Sequence, residues 1–300
     1  MHRKKGIREN LLSTAWLRFL AQAGFALFIA FVAYRHEVVA GQIPTQIVPS
    51  PEAYCPFGGV ETLYTYITTG KFIKRTHLSN VVVLIALLAT TLFAKSAFCG
   101  WICPFGTLQE WLRKAGKKIG HLAPFKSLQA WARRRAGWLR DLDDWARYFK
   151  YVVLVWILWG TIAYGIMIFR DYDPYAALIR ITEIELGAAA VILAIVLVLS
   201  FFIDRPWCRY ACPLGAIIGL IGKISLVKIA RRKELCTQCG LCNRKCPMSI
   251  DVKNAGIISN ADCNNCLNCL EVCPANALDL YLTFPVPGPV VKSINEGRGL

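Results

Sequence analysis

Twelve of the 13 cysteines in this 300-residue chain fall into two spacing patterns, and the tighter pattern constrains the fold most. Cys236-x2-Cys239-x2-Cys242-x3-Cys246-Pro247 recurs as Cys263-x2-Cys266-x2-Cys269-x3-Cys273-Pro274. Three thiolates two residues apart can wrap one face of an iron–sulfur cube, while the fourth, beside proline, points away to complete a neighbouring cube. The spacing therefore predicts Cys236, Cys239, Cys242 and Cys273 on one [4Fe-4S] cluster, and Cys263, Cys266, Cys269 and Cys246 on a second. Structural zinc sites use two CxxC pairs, often with histidine, and no histidine follows Cys208. Apolar runs from Ser225 to Ile229 and from Leu278 to Leu282 predict the two small strands that close a bacterial ferredoxin-like α+β module. A module of about 60 residues has little core of its own, so its clusters are expected to contribute to its folding.

The rest of the chain is of another kind. A hydrophobic content of 55 %, a mean hydropathy of +0.42 and only 18 % charged residues exclude a fully water-soluble chain and a disordered one. Four apolar runs, Trp16 to Tyr34, Leu78 to Ala94, Tyr151 to Phe169 and Leu186 to Ile203, are candidate membrane spans. At 1.5 Å per residue each reaches roughly 26 to 29 Å, near the ~30 Å of a hydrocarbon core. Arg18 and Lys95 sit close to the first two runs and are expected to extend their long side chains to the headgroups.

Charge sets the orientation. Of the 35 Lys and Arg residues, 29 fall in the N-terminal tail, the 95–150 connection and the segment after Ile203, against 6 in the two remaining loops. Basic residues are retained on the cytoplasmic side, so both termini are expected there, with residues 35–77 and 170–185 outside. The net charge of +16 is then a mark of topology, and nucleic acid is not expected as a partner. A cleaved signal peptide ending at Val38-Val39-Ala40 is the rival reading of the first run; it would leave an odd number of spans.

The second cysteine pattern exposes a duplication. Phe98-Cys99-Gly100-Trp101-Ile102-Cys103-Pro104-Phe105-Gly106 follows the second run, and Trp207-Cys208-Arg209-Tyr210-Ala211-Cys212-Pro213-Leu214-Gly215 follows the fourth. Two parallel copies of a helix pair ending in aromatic-Cys-x3-Cys-Pro are implied. Cysteines three residues apart are expected about one helical turn apart on one face. The set Cys99, Cys103, Cys208 and Cys212 has three open readings: ligands of a third metal centre, redox thiols, or packing of a helix turn. After Cys103, the residues Leu108, Trp111, Leu112, Ala115 and Ile119 recur at helical period among Arg113, Lys114, Lys117 and Lys118, which predicts a basic amphipathic helix, either anchored on anionic lipid or serving as a docking face for a partner protein. Leu128 to Phe149 is a second such candidate.

These features together resemble the NapH/MauN family of membrane ferredoxin-type proteins, within a wider NosR- and CcoG-like group. The resemblance covers nearly the whole chain. It implies a mainly α membrane protein: four transmembrane helices in two pseudo-repeats over residues 1–223, a cytoplasmic two-[4Fe-4S] module over 224–284, and a tail over 285–300. It also implies the prokaryotic cytoplasmic membrane, a quinol as electron source, and iron–sulfur or cytochrome subunits of a respiratory complex as partners. The function so implied is an electron-transfer component of a quinol dehydrogenase. Two alternatives stand beside it, a CcoG-like factor reducing copper at the CxxxCP thiols and a redox-sensing membrane anchor.

Weaker candidates complete the reading. Cys55, in Cys55-Pro56-Phe57-Gly58-Gly59, is either an inert loop thiol or a ligand paired with Asp173. His36, Glu61, His77 and Asp171 lie near span ends where quinol protons would be released, with solvated loop polars as the plain alternative; His2 and His121 lie on the inner side. Lys228, Arg231, Arg232, Lys233, Arg244 and Lys245 would favour reduced clusters or steer an acidic partner. No nucleotide-binding loop, serine triad or zinc-protease motif is present.

Overall fold

The computed structural model describes residues 14–40, 56–70, 78–119, 136–164, 168–179, 187–283 and 288–289. The chain is mainly helical. Its elements run α1 (Thr14–Ala40), α2 (Pro56–Thr69), α3 (Leu78–Ala94), α4 (Ala97–Trp101), α5 (Pro104–Ile119), α6 (Ala136–Ala146), α7 (Phe149–Tyr164), α8 (Pro174–Ile179), α9 (Ala188–Phe202), α10 (Pro206–Tyr210) and α11 (Pro213–Ile221). A small sheet and two short helices follow: β1 (Val227–Arg231), α12 (Leu241–Lys245), β2 (Ile257–Ile258), α13 (Asn268–Glu271), β3 (Leu278–Leu282) and β4 (Gly288–Pro289).

These elements form two compact units. The first gathers Met1–Ala26, Leu88–Cys103 and Ile217–Leu300. Its sheet is antiparallel in the order β2-β1-β3-β4, with Ile229 of β1 opposite Ile258 on one side and Leu280 on the other. Leu278–Leu282 is the strand expected from its apolar run, and the first strand lies over Val227–Arg231, two residues beyond the expected Ser225 to Ile229, while the two-residue strands β2 and β4 carry no periodicity to read. Ile229, Met248, Ile250, Val252, Ile258 and Leu278 form the core together with Cys263 and Cys269. Thiols therefore belong to the hydrophobic centre itself, as expected where so short a segment has few large apolar residues to bury.

The second unit comprises Leu27–Leu87 and Pro104–Ala216. Here α5 and α9 approach closely, and a Cβ on Gly116 would lie 2.2 Å from the Phe201 carbonyl oxygen, so only glycine fits. The same carbonyl accepts from Arg113 Nη1 at 2.8 Å. The face of α5 turned into the protein is Phe105, Gly106, Thr107, Gln109, Glu110 and Gly116. The apolar positions picked out by period, Leu108, Trp111, Leu112, Ala115 and Ile119, are only partly covered or exposed. The exposed positions of the helix are Lys114, Lys117, Lys118 and Ile119.

Among the described residues one helix is long and apolar enough to cross a membrane, Thr14–Arg35. The other runs form shorter helices. α3 has 17 residues, α7 has 16 and α9 has 15; at 1.5 Å per residue they reach about 23 to 26 Å. The third run is α-helical over Phe149–Tyr164 and forms a 3-10 turn over Ile168–Tyr172. Leu27, Val155 and Val198 are among many large apolar side chains left exposed on these helices. Arg18 and Lys95 differ from expectation: they are 4 % and 2 % exposed and bond within the protein instead of reaching outward.

Candidate functional site

In the first unit the two ferredoxin-type runs fold alike because their backbone turns at matching places. Gln238, Gly240 and Ser249 are left-handed in the first run, and Asn265, Leu267 and Asn276 are left-handed 27 residues later in the second. Gly240 takes this conformation freely, whereas Leu267 does so at a steric cost. Each sharp turn opens a short helix carrying the third cysteine, Cys242 in α12 and Cys269 in α13. The fourth cysteines match as well: Cys246 Sγ accepts from the Ile250 backbone N–H at 3.5 Å, and Cys273 Sγ accepts from that of Ala277 at 3.3 Å.

The eight thiols come together in two sets. Cys236, Cys239, Cys242 and Cys273 line one cavity, with Arg231 and Lys253 at its wall. Cys246, Cys263, Cys266 and Cys269 interact electrostatically with one another as a second set. The fourth cysteine of each run has thus crossed to the other run's set.

Their environments differ. Cys239 is exposed, while Cys263, Cys266 and Cys269 are buried. Backbone N–H donation from Gln238 and from Leu241 holds Cys236 and Cys239 below the usual thiol value. Burial pushes Cys246 up to about 11 and raises Cys269 further. A thiolate there needs bound positive charge. Among the described residues, no three His, Cys, Asp or Glu side chains converge as they would on a single ion. A zinc ion would draw four sulfurs to ~2.3 Å from one point, whereas a cube spreads them over separate corner irons. The donor set fits the iron–sulfur group.

The second set rests on the first CxxxCP loop. A Cβ on Gly100 would lie 2.4 Å from the Asn264 carbonyl oxygen and 3.7 Å from Cys266 Cα. Trp101 Nε1 donates to the Asn265 carbonyl at 3.0 Å, and Asn265 Nδ2 to that of Ala94 at 2.9 Å. From α1, Arg18 Nε and Gln22 Nε2 donate to the Gly100 carbonyl at 3.0 and 2.9 Å, and Arg18 Nη1 to Asn268 Oδ1 at 2.8 Å. Lys95, left-handed at φ 58, donates to the carbonyls of Ile258 and Asn260 at 2.8 and 3.0 Å. Burial draws Lys95 below the ordinary lysine value, the Cys263 sulfur opposing that, then Lys228 adding to it and Asp262 opposing it. Gly100→Ala is expected to destabilise this contact by about 1 to 3 kcal/mol through overpacking. Thermal unfolding of the full chain checks it; an unchanged midpoint would mean that the contact is loose.

Each CxxxCP motif forms one turn of backbone that breaks before its proline. Ile102 and Cys103 both donate to the Phe98 carbonyl at 2.9 Å; Ala211 and Cys212 donate to that of Trp207 at 3.0 and 2.9 Å. The first cysteine of each motif lies in a five-residue helix, α4 or α10, and the second lies at the break before α5 or α11, whose first residue is proline. Proline suits the first helical position and disfavours helix in the residue before it. The two copies therefore share one backbone turn.

In the second unit, α5 holds the second motif. Gln109 accepts from the Trp207 backbone N–H at 3.1 Å and donates to Cys208 Sγ at 3.7 Å. Cys212 Sγ accepts from the Gly215 N–H at 3.3 Å. Glu110 pairs with Arg205 at 2.7 Å, both deeply buried. From α6, within the stretch read as a second amphipathic segment, Asp143 binds Arg209 and Tyr210, and Arg147 at 2.6 Å. Burial pushes Tyr210 up to about 12, so it stays a donor. Burial works against the Asp143 carboxylate, but the Tyr210 and Arg147 hydrogen bonds and the Arg209 charge hold it below its usual value. A depressed carboxylate stabilises the fold above the ordinary carboxyl range and loses that contribution as pH falls through its lowered value. Wild-type chain should keep this clamp at neutral pH and lose it below about pH 4; Asp143→Asn should lower the melting temperature at pH 7 and flatten its acid dependence. Tryptophan-fluorescence melts check this, and a variant with the wild-type acid profile would contradict it.

The remaining candidates are placed as follows. Asp173 caps α8, accepting from the Tyr175 N–H at 3.0 Å. Asp171 is exposed. His36 and Glu61 fall within α1 and α2, while Cys55, His77, His2 and His121 lie outside the described residues. Sequence reasoning missed Gln109, Glu110, Asp143 and Arg209 as holders of the second motif; a signal was there in the charged residues packed beside apolar runs.

Comparison with known proteins agrees with this geometry. A family model described as a 4Fe-4S binding domain matches residues 76–121 and 186–234, one CxxxCP motif in each, and a 4Fe-4S dicluster domain matches 228–274. These matches define an iron–sulfur electron-transfer protein of the ferredoxin type. Ferredoxin-type protein NapH of Escherichia coli (strain K12) is 30 % identical over 66 % of this chain and 67 % of its own length. The chain belongs to that family. The methylamine utilization ferredoxin-type protein MauN of Methylorubrum extorquens is 31 % identical over 62 % of this chain and 61 % of its own. YccM of Escherichia coli (strain K12) is 30 % identical over 80 % of this chain, which spans 65 % of that relative's length. No solved structure matches the chain.

Proposed function

We propose that the chain is a membrane-bound relay that carries single electrons between a quinol and a partner reductase. Cys236, Cys239, Cys242 and Cys273 hold one [4Fe-4S] cluster, and Cys263, Cys266, Cys269 and Cys246 hold the other. The carrying observation is the grouping of eight thiols into two sets of four, one of them packed on the Cys99–Cys103 loop. Bound clusters supply reversible one-electron chemistry. The backbone N–H groups of Ile250 and Ala277 draw charge from the sulfurs, and burial of Cys263, Cys266 and Cys269 shields the second set from water. Exposure at Cys239 opens the first set to a water-side partner.

In this reading α1, α3, α7 and α9 cross the cytoplasmic membrane as two pseudo-repeats, with both termini inside. The module over 224–284 sits at the inner surface, and the exposed apolar faces of these helices meet lipid. The CxxxCP pairs, Cys99 with Cys103 and Cys208 with Cys212, each serve as redox thiols or metal ligands. The test is anaerobic addition of a menaquinol analogue to the purified full chain, read by the iron–sulfur EPR signals. Reduction of the signals supports the quinol link. Inert signals, with copper reduced in a Cys99-dependent way, would replace it with the copper-handling reading.

A further inference from the structure

The unit that holds the thiols buries two cations drawn from the apolar part of the chain. Lys95, just past α3, is 2 % exposed and donates to the carbonyls of Ile258 and Asn260, at the start of the segment leading to Cys263. Arg18, in α1, is 4 % exposed and donates to Asn268, the residue before Cys269, and to Gly100. The Lys95 ammonium thus meets carbonyl oxygens, and burying a charge against neutral acceptors is expensive. Among the groups acting on Lys95, the Cys263 sulfur favours its charged form more than Asp262 does, and Lys228 opposes it. Beside Cys263, Asn264 is buried, and its side-chain amide nitrogen meets no hydrogen-bond partner among the described residues.

We propose that Lys95 raises the reduction potential of the cluster held by Cys246, Cys263, Cys266 and Cys269, beside the Cys99–Cys103 loop. The inference rests on the ligand assignment above. An added electron increases the cluster's negative charge, and a fixed cation in a poorly polarisable interior stabilises that form more than it stabilises the oxidised one. Arg231, which hydrogen-bonds Cys236, and Lys253 act on the first set instead, so a change at Lys95 is expected to leave that cluster's potential in place. Lys95 is a positioning residue and not a ligand.

The experiment is an EPR-monitored redox titration of the full chain, with iron content measured on each sample. Lys95→Gln keeps a donor for the two carbonyls and removes the charge; Lys95→Arg keeps the charge. The expected result is that Lys95→Gln shifts one cluster midpoint to a more negative potential and leaves the other in place, while Lys95→Arg stays near wild type. Two unmoved midpoints, two equally moved ones, or loss of iron in Lys95→Gln would overturn the proposal. A wild-type chain without iron would overturn the ligand assignment itself, so the two failures are told apart.

Discussion

Removing the clusters, by an iron chelator or by the double substitution Cys263→Ser and Cys269→Ser, is expected to abolish cooperative folding of residues 227–283. The reason lies in the composition of the core. Cys263 and Cys269 stand among its eight buried members, and Cys242, Cys246 and Cys273 pack against it. Two of the four strands are only two residues long, so the sheet offers little to hold the segment once its centre empties. Apo thiols would also leave Cys246 and Cys269 buried among other thiols with no positive centre to share. Hydrogen exchange at the β1 and β3 amides measures the effect. Protection should collapse toward that of an open chain, and protection equal to that of the holo protein would refute a structural role for the clusters.

The next largest effect is expected at the Glu110–Arg205 pair. Side-chain exposures of 8 % and 1 % place both groups where water cannot solvate a lone charge. Glu110→Ala removes the buried carboxylate bonded to the Arg205 guanidinium and should destabilise the chain by about 3 to 5 kcal/mol. Arg205 also stands at a left-handed turn opening α10, which carries Cys208, so the loss should fall on the second CxxxCP motif. Replacing both partners by apolar residues of similar size should recover most of the stability. Denaturant unfolding of the single and double variants checks the sign; a single variant as stable as wild type would show that the pair is solvated.

What the sequence made legible, and what it hid, follows from the reach of each signal. Cysteine spacing is local and chemically demanding, so the grouping of the eight thiols could be anticipated. Val227–Arg231 and Leu278–Leu282 could be read because apolar runs beside those motifs have one small sheet to join. The duplication showed because Phe98 and Trp207 each precede the same Cys-x3-Cys-Pro, and the shared backbone turn repeats with it. Pro104 and Pro213 carried the information that the motif breaks before its second helix. Lys95 and Arg18 were hidden for a different reason. Hydropathy registers that a charge sits near an apolar run but not where its side chain turns, and both turn inward to carbonyls far along the chain.

The most direct test of the central claim is iron and sulfide analysis of the purified full chain prepared without oxygen, together with its EPR spectrum after reduction. About eight irons and as many sulfides per chain, with signals from two interacting [4Fe-4S] clusters, are predicted from four irons per cube. About twelve would add a third cluster at the CxxxCP thiols. A colourless chain free of iron, or one holding zinc in its place, would contradict the account.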